Sequence, residues 1–253
     1  MQQYNPNPTA WGTTYARSQA EVDQGLRAFM LGVYNNMILG LAISALVALG
    51  INMLAVTTVG GRMALTPFGQ TLYGTPLMWV VALAPLAFIF FFTFRMERMS
   101  AASARLTFFA FAAVMGASLS TLLIRYTGAS VVQVFFITAA AFGSLSLWGY
   151  TTKRSLSGMG SFLIMGLIGL LLAMVVNIFL ASSALQFAIS VIGVLIFAGL
   201  TAWDTQKLKE MYLFGNWDAE AAAKASIFGA LTLYLDFINM FQFLLALVGN
   251  RNE

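Results

Sequence analysis

The chain has 253 residues, 60% of them hydrophobic and 9% charged, with a formal net charge of +4 and neither histidine nor cysteine. A soluble domain carries about 25% charged and about 45–50% apolar residues, so at a mean hydropathy of +0.83 this chain cannot clothe a water-facing surface. The missing residue types exclude Ser-His-Asp and Cys-His catalysis, disulfides, imidazole or thiolate metal sites and a histidine pH switch.

Residues 1–25 are polar, and Asn5-Pro6-Asn7-Pro8 discourages helix at the start. They lack the basic opening and short apolar core of a signal peptide. The reading is a disordered cytosolic tail over 1–25 ahead of a transmembrane domain over 26–253. From Arg27 onward the charges divide the chain into neutral blocks. No Lys, Arg, Asp or Glu falls between Arg27 and Arg62, Arg62 and Arg95, Arg105 and Arg125, or Arg125 and Lys153. The stretch from Arg154 to Asp204 is long enough for two spans, divided at Ala181-Ser182-Ser183-Ala184.

A bilayer core of ~30 Å takes about 20 apolar residues of helix. Seven spans are therefore predicted, near 30–54, 75–95, 105–124, 130–150, 159–180, 185–205 and 227–248. Runs such as Phe162-Leu163-Ile164-Met165-Gly166-Leu167-Ile168 lack the alternation of a barrel strand. Asn35 and Asn36 in the first span and Asn177 in the fifth are expected to bond across helices. Pro85 is expected to kink the second span. Gly158, Gly160, Gly166 and Gly169 suggest close packing of the fifth. Lys207–Ser226 reads as the one sizeable inner loop, with a short helix capped by Asp218 and paired through Glu220 and Lys224.

With the N-terminus inside, Arg17, Arg27, Arg95, Arg98, Arg105, Lys153, Arg154, Lys207, Lys209 and Lys224 fall on the inner side. Arg62, Arg125 and Arg251 fall outside, an asymmetry that favours N-in and, with seven full spans, C-out; a re-entrant last segment would instead return the C-terminus and Arg251 to the inner side. The net positive charge is this bias scattered over loops, so nucleic acid is not an expected partner. No Gly-x-x-x-x-Gly-Lys loop supports an ATP-driven pump.

Seven acids lie in the tail or loops: Glu21, Asp23, Glu97, Glu210, Asp218, Glu220 and Glu253. Asp204 ends the predicted sixth span and Asp236 lies within the seventh. A carboxylate at a helix centre costs about 2.5–3.5 kcal/mol to insert, so Asp236 is not expected to face lipid. Thr201 and Thr205 share a helix face with Asp204, as Thr232 and Asn239 do with Asp236. Two carboxylates close together in a poorly solvated site cannot both ionise easily and titrate as a pair. That supplies a pH switch without histidine. Two carboxylates supply at most four oxygens, so a cation between Asp204 and Asp236 would be held weakly.

Several segments resemble the Bax-inhibitor, or transmembrane Bax-inhibitor-motif, family. They are Ala202-Trp-Asp-Thr-Gln-Lys-Leu, Leu233-Tyr-Leu-Asp-Phe-Ile-Asn-Met-Phe and the ending Leu-Val-Gly-Asn-Arg. Arg98-Met-Ser100, Gly116-Ala-Ser-Leu-Ser120 and Gly149-Tyr-Thr-Thr-Lys-Arg-Ser-Leu-Ser157 match as well. The resemblance runs from about residue 25 to the end and looks closest to bacterial members. It implies an all-α polytopic fold of seven transmembrane helices, six around a central seventh, with a cytosolic N-terminus. It also implies a passive, pH-dependent calcium leak through the membrane, with Asp204 and Asp236 as the sensor and a latching arginine, Arg98 or its neighbour Arg95. Calcium prefers six to eight oxygens, so these two aspartates would make a weak calcium site, suited to a leak rather than to storage. No cofactor is expected beyond calcium as permeant ion, and the expected partners are the bilayer, calcium, protons and other membrane proteins. A bacterial inner membrane is the expected location, with endoplasmic reticulum or Golgi as the alternative.

Two other readings use the same acids. A proton-coupled transporter needs intramembrane carboxylates but commonly shows inverted repeats with paired broken helices, which are not visible here. A regulatory membrane protein acting through partners, in cell death or stress, fits the family's eukaryotic side. An intramembrane aspartyl protease would carry Gly-x-Gly-Asp, absent from Leu233-Tyr-Leu-Asp-Phe, so no enzyme is expected.

Overall fold

The computed structural model describes residues 19–59, 62–95, 98–215 and 217–252. The elements are α1 (Gln19–Ala55), β1 (Val56–Val59), β2 (Arg62–Leu65), α2 (Pro67–Tyr73), α3 (Leu77–Arg95), α4 (Ala101–Arg125), α5 (Gly128–Thr151), α6 (Ser157–Leu180), α7 (Ser183–Phe214) and α8 (Ala219–Val248). Among them α1, α4, α5, α6, α7 and α8 are long and apolar enough to cross a bilayer singly. Helices α2 and α3, bent by 61° at the break between them, qualify together as one broken span. The chain is thus an all-α polytopic membrane protein; six of the seven predicted spans fall within one long helix each, and the second, 75–95, begins in the break before α3.

Helix starts follow the capping residues. Ser100, Thr127, Ser182 and Asp218 each accept a backbone N–H of the first turn of α4, α5, α7 and α8, satisfying donors that a helix end leaves orphaned.

The boundaries differ from the sequence reading in four places. Helix α1 begins at Gln19, inside the expected tail, with Glu21 in its first turn, where an acid complements the helix dipole. The rest of that tail lies outside the described residues. Between the first two spans a hairpin forms, Val56 opposite Leu65 and Thr57 opposite Ala64. Helix α3 runs unbroken through Pro85; the bend lies earlier, at the break after α2. The expected inner loop contracts to the few residues between Phe214 and Ala219, because α7 continues past its apolar part and α8 starts at the Asp218 cap. Glu220 does not need Lys224: its Oε1 accepts the N–H of Ala101, tying the starts of α4 and α8 together at 2.6 Å.

Helix α8 is the most enclosed and α6 the least. α8 packs against α1, α4, α5 and α7, while α3 lies on α4 and α6 on α7. Lipid is as apolar as leucine, so helices associate through close packing and polar bonds rather than water exclusion. Two glycines permit the closest crossings. A Cβ on Gly116 would overlap the Ser44 backbone of α1, and one on Gly149 the Ala202 carbonyl of α7. In α6, Gly160 accepts the Trp203 ring and Gly166 approaches Ile196, whereas Gly158 and Gly169 face open space. Aromatic contacts fill the centre: Tyr234 sits edge-on to Phe108 and Phe111, and Phe237 to Phe135 and Phe142, at 5.4–5.8 Å.

Polar side chains close both ends. At the end holding the α7–α8 turn, buried Gln206 donates to the Arg154 carbonyl at 2.8 Å and accepts the Leu156 N–H at 2.7 Å. It thereby pins the α5–α6 connection. Gln206→Leu would leave that N–H and carbonyl without their partners, at about 1–3 kcal/mol. We expect a lower melting temperature in detergent and faster proteolysis within 152–156; an unchanged cleavage rate would show that Gln206 does not hold this connection. At the opposite end, Asn252 N–H donates to the Arg125 carbonyl at 3.0 Å and its Nδ2 to the Ile124 carbonyl at 2.8 Å.

Candidate functional site: two aspartates between α7 and α8

Helices α7 and α8 are antiparallel, and two contacts fix their register. Leu208 packs on Gly229 and Phe243 on Gly193. In that register Asp204 stands level with Leu233, and Asp236 level with Leu200 and Thr201. The two carboxyls are offset by about one turn, ~5 Å along the axis. Asp204 is not at a helix end, since α7 runs on to Phe214, about 15 Å further. That length brings the pair to similar depth.

Asp204 is 8% exposed and Asp236 4%. Asp236 Oδ2 is enclosed and has no hydrogen-bond partner among the described residues. The charge bearing on Asp236 is Asp204, and the charge bearing on Asp204 is Lys207, one turn along α7. Lys207 Nζ itself lies 4.8 Å from the centre of the Trp203 ring. Arg95 and Arg98 stand elsewhere. Both are exposed at the end of α3, Arg95 over the Phe91 ring at 5.8 Å and Arg98 beside Met99 and Ser100 around a cavity of about 680 Å³. The structure does not bring either arginine to the aspartates.

The polar neighbours divide. Thr201 and Thr205 are fully buried, and each hydroxyl donates to the carbonyl one turn back, Phe197 and Thr201, at 2.7 Å. Thr232 and Asn239 do the same toward Phe228 and Leu235; both are half-buried, at the edge of the enclosed face of α8. Thr205 also reaches another helix. Ser146 Oγ of α5 is 2.9 Å from Thr205 Oγ1, and Tyr34 Oη of α1 is 2.7 Å from Ser146 Oγ. A hydroxyl has one hydrogen to give, and that of Thr205 goes to Thr201. Ser146 therefore donates to Thr205, and Tyr34 to Ser146. This directed chain ties α1 and α5 to α7 beside Asp204.

Tyr34, Ser146 and Gln206 were missed in the sequence reading. A tyrosine inside an apolar span was the available signal for the first. A cavity of about 610 Å³ between α1 and α5 ends on Tyr34, Ser146 and Tyr150 and is backed by Phe237 of α8. Of the three asparagines, Asn36 bonds the Gly32 carbonyl of its own helix and Asn35 is exposed. Asn177 does cross, donating to Gln186 of α7 at 3.2 Å.

Among the described residues no group of three or more Asp, Glu, His or Cys side chains converges. Two aspartates alone offer at most four oxygens, too few for a complete calcium cage. The arrangement can take up a proton, or attract a cation weakly in place of one.

The family model described as "Inhibitor of apoptosis-promoting Bax1" matches residues 26–253. A protein of Caulobacter vibrioides is 48% identical over 237 residues, covering 94% of each chain. Protein RP147 of Rickettsia prowazekii is 45% identical over 231 residues, 91% of this chain and 93% of its own. "Inner membrane protein YbhL" of Escherichia coli is 43% identical over 231 residues, 90% of this chain and 93% of its own.

Proposed function

The chain belongs to the Bax-inhibitor family, and from there we propose that it is a pH-sensitive passive cation leak, carrying calcium, with Asp204 and Asp236 as its sensor. The observation that carries this reading is the pair itself: two acids on the enclosed faces of neighbouring helices, offset by about one turn, one with an oxygen that has no partner among the described residues. A carboxyl is costly to bury, and a purely structural aspartate would have its oxygens bonded.

Counting α2 and α3 as one broken span gives seven crossings. The N-terminal end of the bundle then carries Arg27, Arg95, Arg98, Arg105, Lys153, Arg154, Lys207, Lys209 and Lys224, which favours it as the cytosolic side. The printed name of YbhL supports the bacterial inner membrane.

A single proton on the pair removes one of the two negative charges and lets α7 and α8 stay packed. Without it, two negative charges face each other in a poorly screened site, and the helices must part, admit water or accept a cation. Proton and cation thus compete for one place. Four carboxylate oxygens bind calcium too weakly to retain it, and release is what a leak requires. Arg98 or Arg95 would act as a latch only after movement of the α3 end, in a second conformation.

The test is calcium flux into proteoliposomes across a pH series, for wild type, Asp204→Asn and Asp236→Asn. Wild-type flux should vary with pH, and each variant should give a flattened profile with no peptide cleavage in a parallel assay. Unchanged pH dependence in both variants would remove the pair from the mechanism.

A further inference from the structure

At the end of the bundle opposite the α7–α8 turn, Arg125 and Arg251 share a cavity of about 440 Å³. The two residues are far apart in sequence, and backbone pairing makes them neighbours. Tyr126 pairs with Arg251 in an antiparallel bridge, Asn252 N–H donates to the Arg125 carbonyl, and Thr127 N–H to the Asn250 carbonyl, the last two at 3.0 Å. Asn250 N–H is held in turn by Ser130 Oγ at 2.9 Å. The guanidiniums are exposed to solvent, and that of Arg125 lies over the Tyr126 ring at 5.9 Å.

The rest of the lining is uncharged, part polar, with Asn177, Ser182, Gln186 and Ser190 from the α6–α7 region, and part apolar, with Phe187 and Ala246, and no acid is among the described residues that line it. Asn177 Oδ1 accepts the Ser182 N–H at 3.0 Å, and Asn177 Nδ2 bonds Gln186 Oε1. The amides are thereby oriented and their positions fixed. Two guanidiniums lining one cavity, with no acid among the described residues of its wall, favour an anion there, and the backbone pairing keeps the two residues neighbours. Phe187, 63% exposed on the adjoining surface of α7, puts the cavity at the edge of the lipid-facing belt.

We propose that this cavity binds a phosphate group, presented either by an anionic lipid headgroup or as free inorganic phosphate. Guanidinium matches phosphate oxygens with paired, charge-assisted hydrogen bonds, and the Ser182 hydroxyl and the remaining amide hydrogens of Asn177 and Gln186 supply neutral donors beside them. The site is separate from the aspartate pair: Ala246, in its wall, is about 15 Å along α8 from Asp236. It therefore stands or falls independently of the leak.

The experiment uses the full chain, delipidated in a neutral detergent, and follows thermal unfolding. One arm titrates sodium phosphate against sodium chloride at equal ionic strength. The other titrates short-chain phosphatidylglycerol against short-chain phosphatidylcholine. Wild type should show a saturable rise in melting temperature in at least one arm. Arg125→Gln and Arg251→Gln should each weaken the apparent affinity about tenfold, the loss expected for one charged hydrogen-bonding partner, and the double variant should abolish it. Arg105→Gln, an exposed arginine at the other end, should respond like wild type. A rise with both ligands assigns the site to the phosphate group from either source, and a rise with the lipid alone to the headgroup. No rise in either arm, or one that the double variant retains, overturns the proposal.

Discussion

Asp236→Leu is expected to melt above wild type while losing the pH response of cation flux. The two effects have one cause. Asp236 is enclosed among Leu233, Phe237 and Met240 on the most buried face of α8, and its Oδ2 forms no hydrogen bond with the described residues. A buried polar group without a partner costs about 1–3 kcal/mol, and an apolar side chain at the same place recovers that cost. For a chain of this size each kcal/mol moves the melting temperature by about 2–4 °C, so a rise of several degrees in detergent is expected. Asp204→Leu should gain less, because it also discards the attraction between Asp204 and Lys207. Residues kept for function at a cost in stability behave this way. A variant that melts clearly below wild type would mean that Asp236 braces the fold, and the sensor reading would lose its main support.

The legible part of this protein was set by the bilayer. Long neutral blocks between Arg27 and Arg62, Arg62 and Arg95, Arg105 and Arg125, and Arg125 and Lys153 have one economical arrangement in lipid, and each holds a long helix. Asp204 and Asp236 stood out for the same reason, as acids where acids are expensive. Hydropathy marks where a helix leaves the apolar layer, however, not where it stops. Helix α7 passes through Lys207 and Lys209 because their long stems stay on the protein while the ammonium groups find local partners: the Trp203 ring for one, and the Tyr150 carbonyl at 2.8 Å for the other. The hairpin had its signal in two β-branched or apolar runs around Gly60-Gly61, but four residues a side are too short to stand out beside spans of twenty. The Tyr34–Ser146–Thr205 chain was invisible for a different reason. Serine and threonine in membrane helices commonly bond their own backbone, as Thr138, Thr201 and Thr232 do here. Only the α5–α7 crossing shows which hydroxyls reach a neighbour.

That crossing gives the second large expectation, a pair of identical substitutions with opposite signs. Gly143→Ala and Gly149→Ala lie less than two turns apart on α5. Alanine is favoured over glycine in a helix by about 0.8–1.0 kcal/mol, and at Gly143 nothing stands within 4 Å of the added methyl, so this variant should be slightly more stable than wild type. At Gly149 the methyl would overlap the Ala202 carbonyl oxygen. A backbone carbonyl in the middle of α7 cannot rotate aside as a flexible side chain would, so the helices must separate. Overpacking of this kind costs about 1–3 kcal/mol, more than the propensity gain, and Gly149→Ala should melt lower. The displacement also falls on function. Ser146 lies one turn from Gly149 and its partner Thr205 is next to Asp204, so a shift of even half an ångström lengthens their 2.9 Å bond and loosens α5 from the helix that carries the sensor. Thermal unfolding of both variants in one detergent, with the pH profile of flux beside it, tests the two consequences together. Equal melting temperatures would show that α5 and α7 do not cross at Gly149. A lower temperature with an unaltered pH profile would confine the crossing to packing and detach the hydroxyl chain from the sensor.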